Sequence, residues 1–310
     1  MQSELDHLPE TQRDELRRIT GLLLAEFEKA VAGGTQPWRR KAKILKIVLF
    51  GSYARNDWVD EPEKGYQSDF DLLIIVNNEH LTDIADYWYV AEDKIFRDPA
   101  VGRIVNIIVH TLDEVNRALT RGEYFWADII GEGIALYDVP GHSFTNAVPP
   151  TASEALEIAE KYFQQWANGA DRRLTAVNME IKEADLSNDP EWFKDAAFTL
   201  HQAVERTYAC YLLVRTHYFP RSHNIKFLRS LAEDKDKRLV AAWPREQKLD
   251  RRRFELLKRA YVDARYSSQF EISAEDLEAL LACAARLRDI VVAVCQEHLA
   301  DLRARAAREA

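Results

Sequence analysis

The segments Leu49-Phe50-Gly51-Ser52-Tyr53-Ala54-Arg55 and Ser68-Asp69-Phe70-Asp71-Leu72-Leu73-Ile74-Ile75-Val76 each join an apolar run to a polar motif. Side chains alternate between the two faces of a strand, so we expect Asp69 and Asp71 on the same face. Two carboxylates there would repel each other unless a cation lay between them. Mg²⁺ suits this place because it takes a few carboxylate oxygens and leaves other positions to water and phosphates. The pair therefore predicts a Mg²⁺ site.

The Gly51-Ser52 turn forms the other half of the pattern. Glycine lets the backbone approach a ligand closely, and a helix beginning at Tyr53 to Arg55 would offer its free N–H groups to phosphate oxygens. The hydroxyl of Ser52 would extend this cradle. Each half also has an ordinary alternative, as a simple turn or as the polar start of a strand.

In this order and spacing the two halves resemble the signature of nucleotidyltransferases of the DNA polymerase β superfamily, in which Gly-Ser and a variable loop precede Asp-x-Asp. The resemblance implies a domain with a mixed sheet that binds Mg²⁺ and uses ATP, or another NTP, as substrate. It implies that Asp69 and Asp71 are catalytic and hold the metal. The nucleotide-binding residues that we expect are Gly51, Ser52, Arg55 and Ser68.

A third position follows from the next apolar run, Ile104 to His110, which we expect to lie beside the Asp69 strand. Polymerase β-like enzymes usually place a third carboxylate on this strand, and Asn106 is the matching catalytic position. An amide can coordinate a metal through its oxygen, but it adds no charge and deprotonates no hydroxyl, which puts two-metal catalysis in doubt. Asp113 and Glu114 are alternatives, unless they occupy the first turn of the next helix.

The second half of the chain is helical in pattern, with no alternating run typical of a strand. Leu200-His201-Gln202-Ala203-Val204-Glu205 and Asp263-Ala264-Arg265-Tyr266 resemble the HEPN family, an antiparallel helical bundle often fused to minimal nucleotidyltransferases. We therefore predict an α+β fold with a nucleotidyltransferase-like domain over 1–140. A linker over 141–152 and an all-α HEPN-like domain over 153–310 would follow.

The HEPN resemblance carries two further expectations. The first is a homodimer through the helical domain, which would use aromatic residues that we expect to be exposed: Tyr162, Trp166, Tyr218, Phe219 and Phe270. The second is an RNA-cleaving site, since many HEPN proteins place four to six residues between an Arg and a following His. Here seven residues separate Arg215 from His223 and only one separates Arg221 from it. An ordinary helix start at His223 is therefore the favoured interpretation.

Composition limits the class of protein. The chain has 310 residues and a net charge of −9, which argues against non-specific coating of nucleic acid. No apolar run approaches the roughly 20 residues of a membrane span, and no basic leader begins the chain. The three cysteines, Cys210, Cys283 and Cys295, have no metal-type spacing. We expect a cytoplasmic protein with no membrane partner and with reduced thiols.

The predicted reaction is the transfer of a nucleoside monophosphate, most plausibly AMP from ATP, to a hydroxyl. The family implies an acceptor protein, as in toxin and antitoxin pairs, an RNA end or a small molecule, and the sequence does not choose among them. Two other functions stay open. One is a nucleotide-binding regulatory or antitoxin module that has lost turnover, and the other is a HEPN ribonuclease.

Overall fold

A computed structural model describes residues 5–61, 66–220 and 222–309 of the chain. The chain divides into two compact units, the first comprising Met1–Pro62 and Tyr66–Pro149 and the second containing Pro150–Ala310. The elements of the first unit are α1 (Glu10–Val31), α2 (Pro37–Arg40), β1 (Ile44–Phe50), α3 (Ser52–Arg55), β2 (Asp60–Glu61), β3 (Tyr66–Gln67), β4 (Phe70–Val76), a 3₁₀ turn (Glu79–Thr82), α4 (Ile84–Tyr87), α5 (Tyr89–Arg97), β5 (Val105–Thr111), α6 (Leu112–Thr120), α7 (Tyr124–Glu132) and β6 (Ile134–Asp138).

Four strands of the first unit form one sheet in the order β5-β4-β1-β6. β1 runs antiparallel to β4 and β6, whereas β4 and β5 are parallel. This arrangement confirms the mixed sheet. Every residue of β1 and β4 is buried, which explains why their sequences are continuous apolar runs rather than alternating ones.

Helices cover both faces of this sheet. On one face, Leu49 and Leu72 belong to a core that includes Leu16, Leu23 and other apolar residues of α1. On the other face α7 contributes aromatic rings: Phe125 packs edge-on against Phe50 at 5.9 Å, and Trp126 against His110 at 4.8 Å. The sheet is therefore the middle of three layers, and its polar ends are where a site can form.

The segment Asn56 to Gln67, between the glycine turn and the two acids, contains a short hairpin. Its strands β2 and β3 are two residues long and pair antiparallel, with Asp60 opposite Gln67. A backbone bond from Ser68 N–H to Val59 C=O at 2.8 Å continues this pairing. The variable segment between the two motifs thus has paired ends, and residues 62–65 lie outside the described part of the chain.

The second unit is helical throughout its described residues, which confirms the all-α prediction. Its elements are α8 (Ala152–Ser187), α9 (Glu191–Thr216), α10 (Ile225–Lys235), a 3₁₀ turn (Lys237–Ala242), α11 (Lys248–Tyr266) and α12 (Ala274–Glu309). Helix α9 packs against the other four helices. Its buried residues include Leu200, Val204, Tyr208 and Tyr211, so one central helix supplies much of the core of the bundle.

Two of the aromatic residues expected at the surface are in the interior. Tyr218 is buried, as is Phe270. Trp166 and Phe219 are partly buried and pack together at 6.0 Å, with the Arg206 guanidinium over the Trp166 ring. Exposure cannot be inferred from residue type here, because these rings lie where helices meet. Among the described helices, none has a stretch apolar and long enough to cross a membrane.

Cys210 and Cys295 are buried and Cys283 is partly buried, and all three are free thiols.

Candidate functional site

The turn after β1 brings the backbone close to a carboxylate. Helix α3 begins at Ser52, and the C=O of Gly51 accepts the N–H groups of Ala54 and Arg55 at 3.1 Å. Gly51 has φ of +76°, and a Cβ on it would lie 2.6 Å from Asp71 Oδ2. Glycine is required here both for its backbone conformation and because no side chain would fit.

Strand register assembles the polar residues. Asp71 lies opposite Phe50 of β1 on one side and opposite Asn106 of β5 on the other. Asp69 comes directly before β4. Asp71 is 1% exposed, and Asp69 and Asn106 are each 6% exposed. The structure therefore gathers the three predicted catalytic positions at the amino end of two parallel strands.

The amide of Asn106 lies between the two carboxylates. Its Nδ2 donates to Asp71 Oδ1 at 3.0 Å and to Asp69 Oδ2 at 3.4 Å. The Asn106 N–H group therefore lies between the two acids and offsets part of their mutual repulsion, as a bound cation would. The geometry explains how two buried carboxylates are tolerated side by side.

These side chains fit a Mg²⁺ ion in part. Two carboxylates and an amide oxygen are hard oxygen donors of the kind that Mg²⁺ binds, with water and substrate phosphate completing the shell. In the described residues, no group of three or more His, Cys, Asp and Glu side chains is placed to hold a metal.

One arginine connects the parts of the site. Arg103, just before β5, donates to the Tyr53 hydroxyl at 2.6 Å, to Asp60 at 2.5 Å and to Glu15 of α1. Tyr53 is fully buried and stacks on Trp58 at 5.3 Å, and burial raises its pKa to about 12. The glycine turn, the hairpin and the start of β5 are therefore tied together by one guanidinium. Sequence reasoning missed Arg103, since nothing in its neighbours distinguishes it from a surface arginine.

The other two predicted nucleotide-binding residues have protein partners. Ser68 Oγ accepts the N–H of Val59 at 3.0 Å, so it stabilises the base of the hairpin. Arg55 donates to Asp57 at 3.3 Å and lies 3.7 Å from Glu132. A nucleotide would compete with these partners, and binding by Ser68 and Arg55 stays a prediction.

Asp113 and Glu114 lie at the wrong end of the sheet to be third ligands. Asn106 is near the start of β5, whereas Thr111 at its end pairs with Val76 at the far end of β4. At about 3.3 Å per residue, this separates the two ends by roughly 16 Å. Glu114 forms a capping box with Thr111, and Asp113 pairs with Arg117 at 2.8 Å. The interpretation as first-turn residues of a helix is confirmed.

The second unit holds a separate cluster of polar and aromatic side chains. His201 is fully buried, and burial lowers its pKa to about 4. His223 stacks on Tyr261 at 4.2 Å with its Nδ1 2.8 Å from Glu205 Oε2. The Arg265 guanidinium also lies over the Tyr261 ring, with its Cζ 4.7 Å from the ring centroid.

The arginines considered for RNA cleavage do not join this cluster. Arg215 Nη1 lies 2.8 Å from His298 Nδ1, away from the partners of His223. Arg221 lies outside the described residues. The described part of the chain therefore shows no Arg and His pair of the predicted kind.

Comparison with known proteins gives two family matches. A family described as "Nucleotidyltransferase domain" matches residues 36–121, and one described as "HEPN domain" matches residues 163–297. The first match contains the glycine turn, both carboxylates and Asn106.

A curated protein of Methanocaldococcus jannaschii, named as a putative protein adenylyltransferase, is 31% identical over 97 residues. The aligned region is 31% of this chain and 82% of that protein. The likeness therefore covers most of a small relative and about a third of this chain.

Proposed function

Because this chain belongs to the nucleotidyltransferase family and carries a HEPN domain after the transferase domain, we propose that it moves AMP from ATP to a hydroxyl of an acceptor protein. The observation that carries the proposal is the convergence of Asp69, Asp71 and Asn106 beside the Gly51 turn. Two acids and a close backbone approach at one place are what metal and triphosphate binding require.

Each residue has a role in this reaction. Asp69 and Asp71 would hold a Mg²⁺ ion, which when bound neutralises the triphosphate and polarises the α-phosphorus. Gly51 admits the phosphates close to the backbone, and Ser52 begins the helix that faces them. The acceptor oxygen attacks the α-phosphorus, the bond to the bridging oxygen of the β-phosphate breaks, and pyrophosphate leaves. Asn106 is not a base, so the hydroxyl proton passes to water.

The choice of AMP and of a protein acceptor rests on the name of the archaeal relative. An RNA end or a small-molecule hydroxyl is chemically equivalent at the attacking oxygen, so each remains an outcome of the test. A role in a toxin and antitoxin pair is part of the same proposal, with the toxin as acceptor.

A second candidate is a nucleotide-binding regulatory or antitoxin module with slow turnover. The bonds from Asn106 to both carboxylates favour it, because this position supplies a donor where a general base would accelerate transfer. The two candidates share the binding site and differ only in rate. Ribonuclease activity is not proposed.

The test combines binding with transfer. Calorimetric titration of the full chain with ATP and Mg²⁺ should show binding that Asp69→Asn with Asp71→Asn abolishes. The fold should survive this change because each new amide keeps an acceptor oxygen for Asn106, which circular dichroism checks. Incubation with α-labelled ATP and a lysate should then label a protein band. Equal binding by parent and double variant would overturn the site, and binding without label would favour the regulatory module.

Two further proposals concern the state of the protein. We propose a homodimer through the helical unit, supported by its HEPN match and by the exposed apolar side chains Met179 and Leu186 on α8. We also propose that the protein works in the cytoplasm, where ATP is plentiful and the buried thiols of Cys210 and Cys295 stay reduced.

A further inference from the structure

Strand β5 is the outer strand of the sheet, and its outer edge pairs with no other strand in the described part of the first unit. Phe70 N–H donates to Ile104 C=O at 2.9 Å. Backbone groups alternate in direction along a strand, so those of Asn106 also point toward β4. The N–H and C=O groups of Val105 and Ile107, both only partly buried, therefore point outward, where a further strand can pair with them.

The side chains along this edge divide between two faces. Asn106 lies on the face that carries Asp71, so the catalytic carboxylates are one strand away from the edge. Val105 and Ile107 lie on the opposite face, where they line an open cavity of about 240 Å³. Ile95, Ile104 and other apolar residues complete its walls. The outer edge thus connects the catalytic face with an apolar cavity.

One carboxylate in the cavity has no partner among the residues that the structure describes. Glu92 of α5 is partly buried and makes no hydrogen bond or ion pair with any described residue. Burial raises its pKa. Arg103 also lines the cavity, but its guanidinium is engaged by Glu15, Asp60 and Tyr53. A cation from another molecule would therefore complement Glu92.

We propose that the outer edge of β5 binds an extended segment of the acceptor protein as an additional strand, with a hydroxyl residue opposite Asn106 and a Lys or Arg next to it in sequence. The inference rests on the proposed function and specifies its acceptor. Residues opposite each other on paired strands share a face, so the hydroxyl points toward the catalytic carboxylates. The neighbouring residue points to the other face, where its cation reaches Glu92.

The dimensions agree with transfer. Paired strands lie about 4.8 Å apart. The backbone of the residue opposite Asn106 is therefore one strand spacing from the backbone of Asn106 and two from that of Asp71. In an antiparallel pair this position is of the close type, with about 4.5 Å between Cα atoms, because the neighbouring backbone groups carry the hydrogen bonds. A Ser, Thr or Tyr side chain at this position extends along the face where the reaction takes place.

The chemistry of the edge favours a peptide over RNA. An RNA strand would need cations along its phosphates, whereas this cavity offers apolar walls and a carboxylate. Phe96, at its rim, is 84% exposed and gives an apolar contact for an alternating strand. Edge pairing also recognises any extended backbone, while the cavity selects the side chain beside the hydroxyl.

The first experiment uses fluorescent peptides of about eight residues, a common strand length. Each alternates Thr and Val around a central Lys-Tyr pair, and a matched series carries Glu-Tyr. Fluorescence anisotropy with the full chain should show the Lys peptide binding about fivefold more tightly, the scale of a partly screened ion pair. α-Labelled ATP should label its Tyr preferentially. Glu92→Lys should reverse the preference, and an unchanged preference in this variant would overturn the role of Glu92.

The second experiment tests the pairing itself. Backbone N-methylation removes one N–H donor at a time from the Lys-Tyr peptide. Since alternate N–H groups face β5, methylation at every second position should abolish binding and methylation at the positions between should not. Equal effects at both sets of positions would overturn edge pairing, and labelling of an RNA from the lysate in place of peptide would overturn the choice of acceptor.

The parent protein separates this inference from the proposed function. One outcome is that the parent binds ATP with Mg²⁺ and labels a lysate protein, while N-methylation weakens peptide binding equally at all positions. In that case only the inference about β5 fails. If ATP does not bind, the proposed function fails first.

Discussion

The carboxylate of Asp71 occupies the space that a side chain on Gly51 would need, since a Cβ there would lie 2.6 Å from Asp71 Oδ2. The turn that would admit phosphates therefore lies beside the acid that would hold a metal, with no room for a side chain between them.

Gly51→Ala should damage both stability and nucleotide binding. The positive φ and the contact with Asp71 together should cost about 3 kcal/mol in the free energy of unfolding. Gly141→Ala is the matched control, because Gly141 also has a positive φ, of +87°, but has open space around its Cβ position. It should cost about 1 kcal/mol and leave ATP binding intact. Urea unfolding and calorimetry measure both effects, and similar losses in the two variants would contradict the contact argument.

Asn106→Asp should make the protein dependent on Mg²⁺. The change replaces an N–H donor between two carboxylates with a third carboxylate, so the melting temperature without metal should fall and millimolar Mg²⁺ should restore it. A carboxylate there also supplies a base, and transfer should rise by about 10² to 10⁴. Asn106→Ala, which removes the amide without adding charge, is the control. Robust transfer by the parent that Asn106→Asp fails to improve would refute the assignment of this position.

Glu114→Gln and Asp113→Asn should leave ATP binding unchanged. Glu114 accepts the Thr111 N–H at 3.0 Å in a capping box, and a glutamine oxygen accepts the same N–H, so only the charge at the helix N-terminus is lost and the free energy of unfolding should fall by about 0.5 kcal/mol. Asp113 is exposed beside Arg117, and its change should be nearly neutral. A loss of ATP affinity in either variant would show that the far end of β5 contributes to the site.

Acid should destabilise the helical unit through His201. Its folded pKa of about 4 lies below the ordinary 6.5, so the unfolded state takes up the proton first as the pH falls. The stabilisation that depends on neutral His201 is complete above pH 6.5 and is lost progressively toward pH 4. The free energy of unfolding should therefore fall by about 2 kcal/mol between pH 7 and pH 5. His201→Phe should remove this part of the pH dependence, as measured by urea unfolding at both pH values. His80→Phe, at an exposed histidine of the first unit, controls for the loss of an imidazole.

Leu186→Glu with Met179→Glu should weaken the proposed homodimer. Both side chains are exposed on α8, at 82% and 66%, so the charges should not disturb the fold of the monomer. Light scattering on the full chain at tens of micromolar, roughly the range in which stable interfaces persist, should show a dimer for the parent and a monomer for the variant. Val148→Glu in the first unit is an exposed control. A parent that is monomeric would remove the proposal altogether.

The sequence was sufficient for the features that depend on local pattern. The apolar runs of β1 and β4 predicted buried strands, and the period of two predicted that Asp69 and Asp71 share a face. The family resemblance supplied Asn106 as the third position. Contacts between distant residues were not predictable in this way. Arg103 pairs with Glu15, which is 88 positions earlier in the chain. Tyr218 and Phe270 are buried by the packing of helices, which the periodicity of one segment does not predict. The β2–β3 hairpin could not be predicted from the sequence, because strands of two residues are too short to show an alternating pattern.

The parallel pairing of β4 and β5 gives the site an order of assembly. Asp71 and Asn106 are 35 positions apart, and β1, β4 and both acids precede β5 along the chain. A ribosome releases the N-terminal part first, and contacts between distant segments form after local ones. The glycine turn and its two acids therefore precede the amide that bridges them along the chain, and the three side chains come together only when β5 pairs with β4.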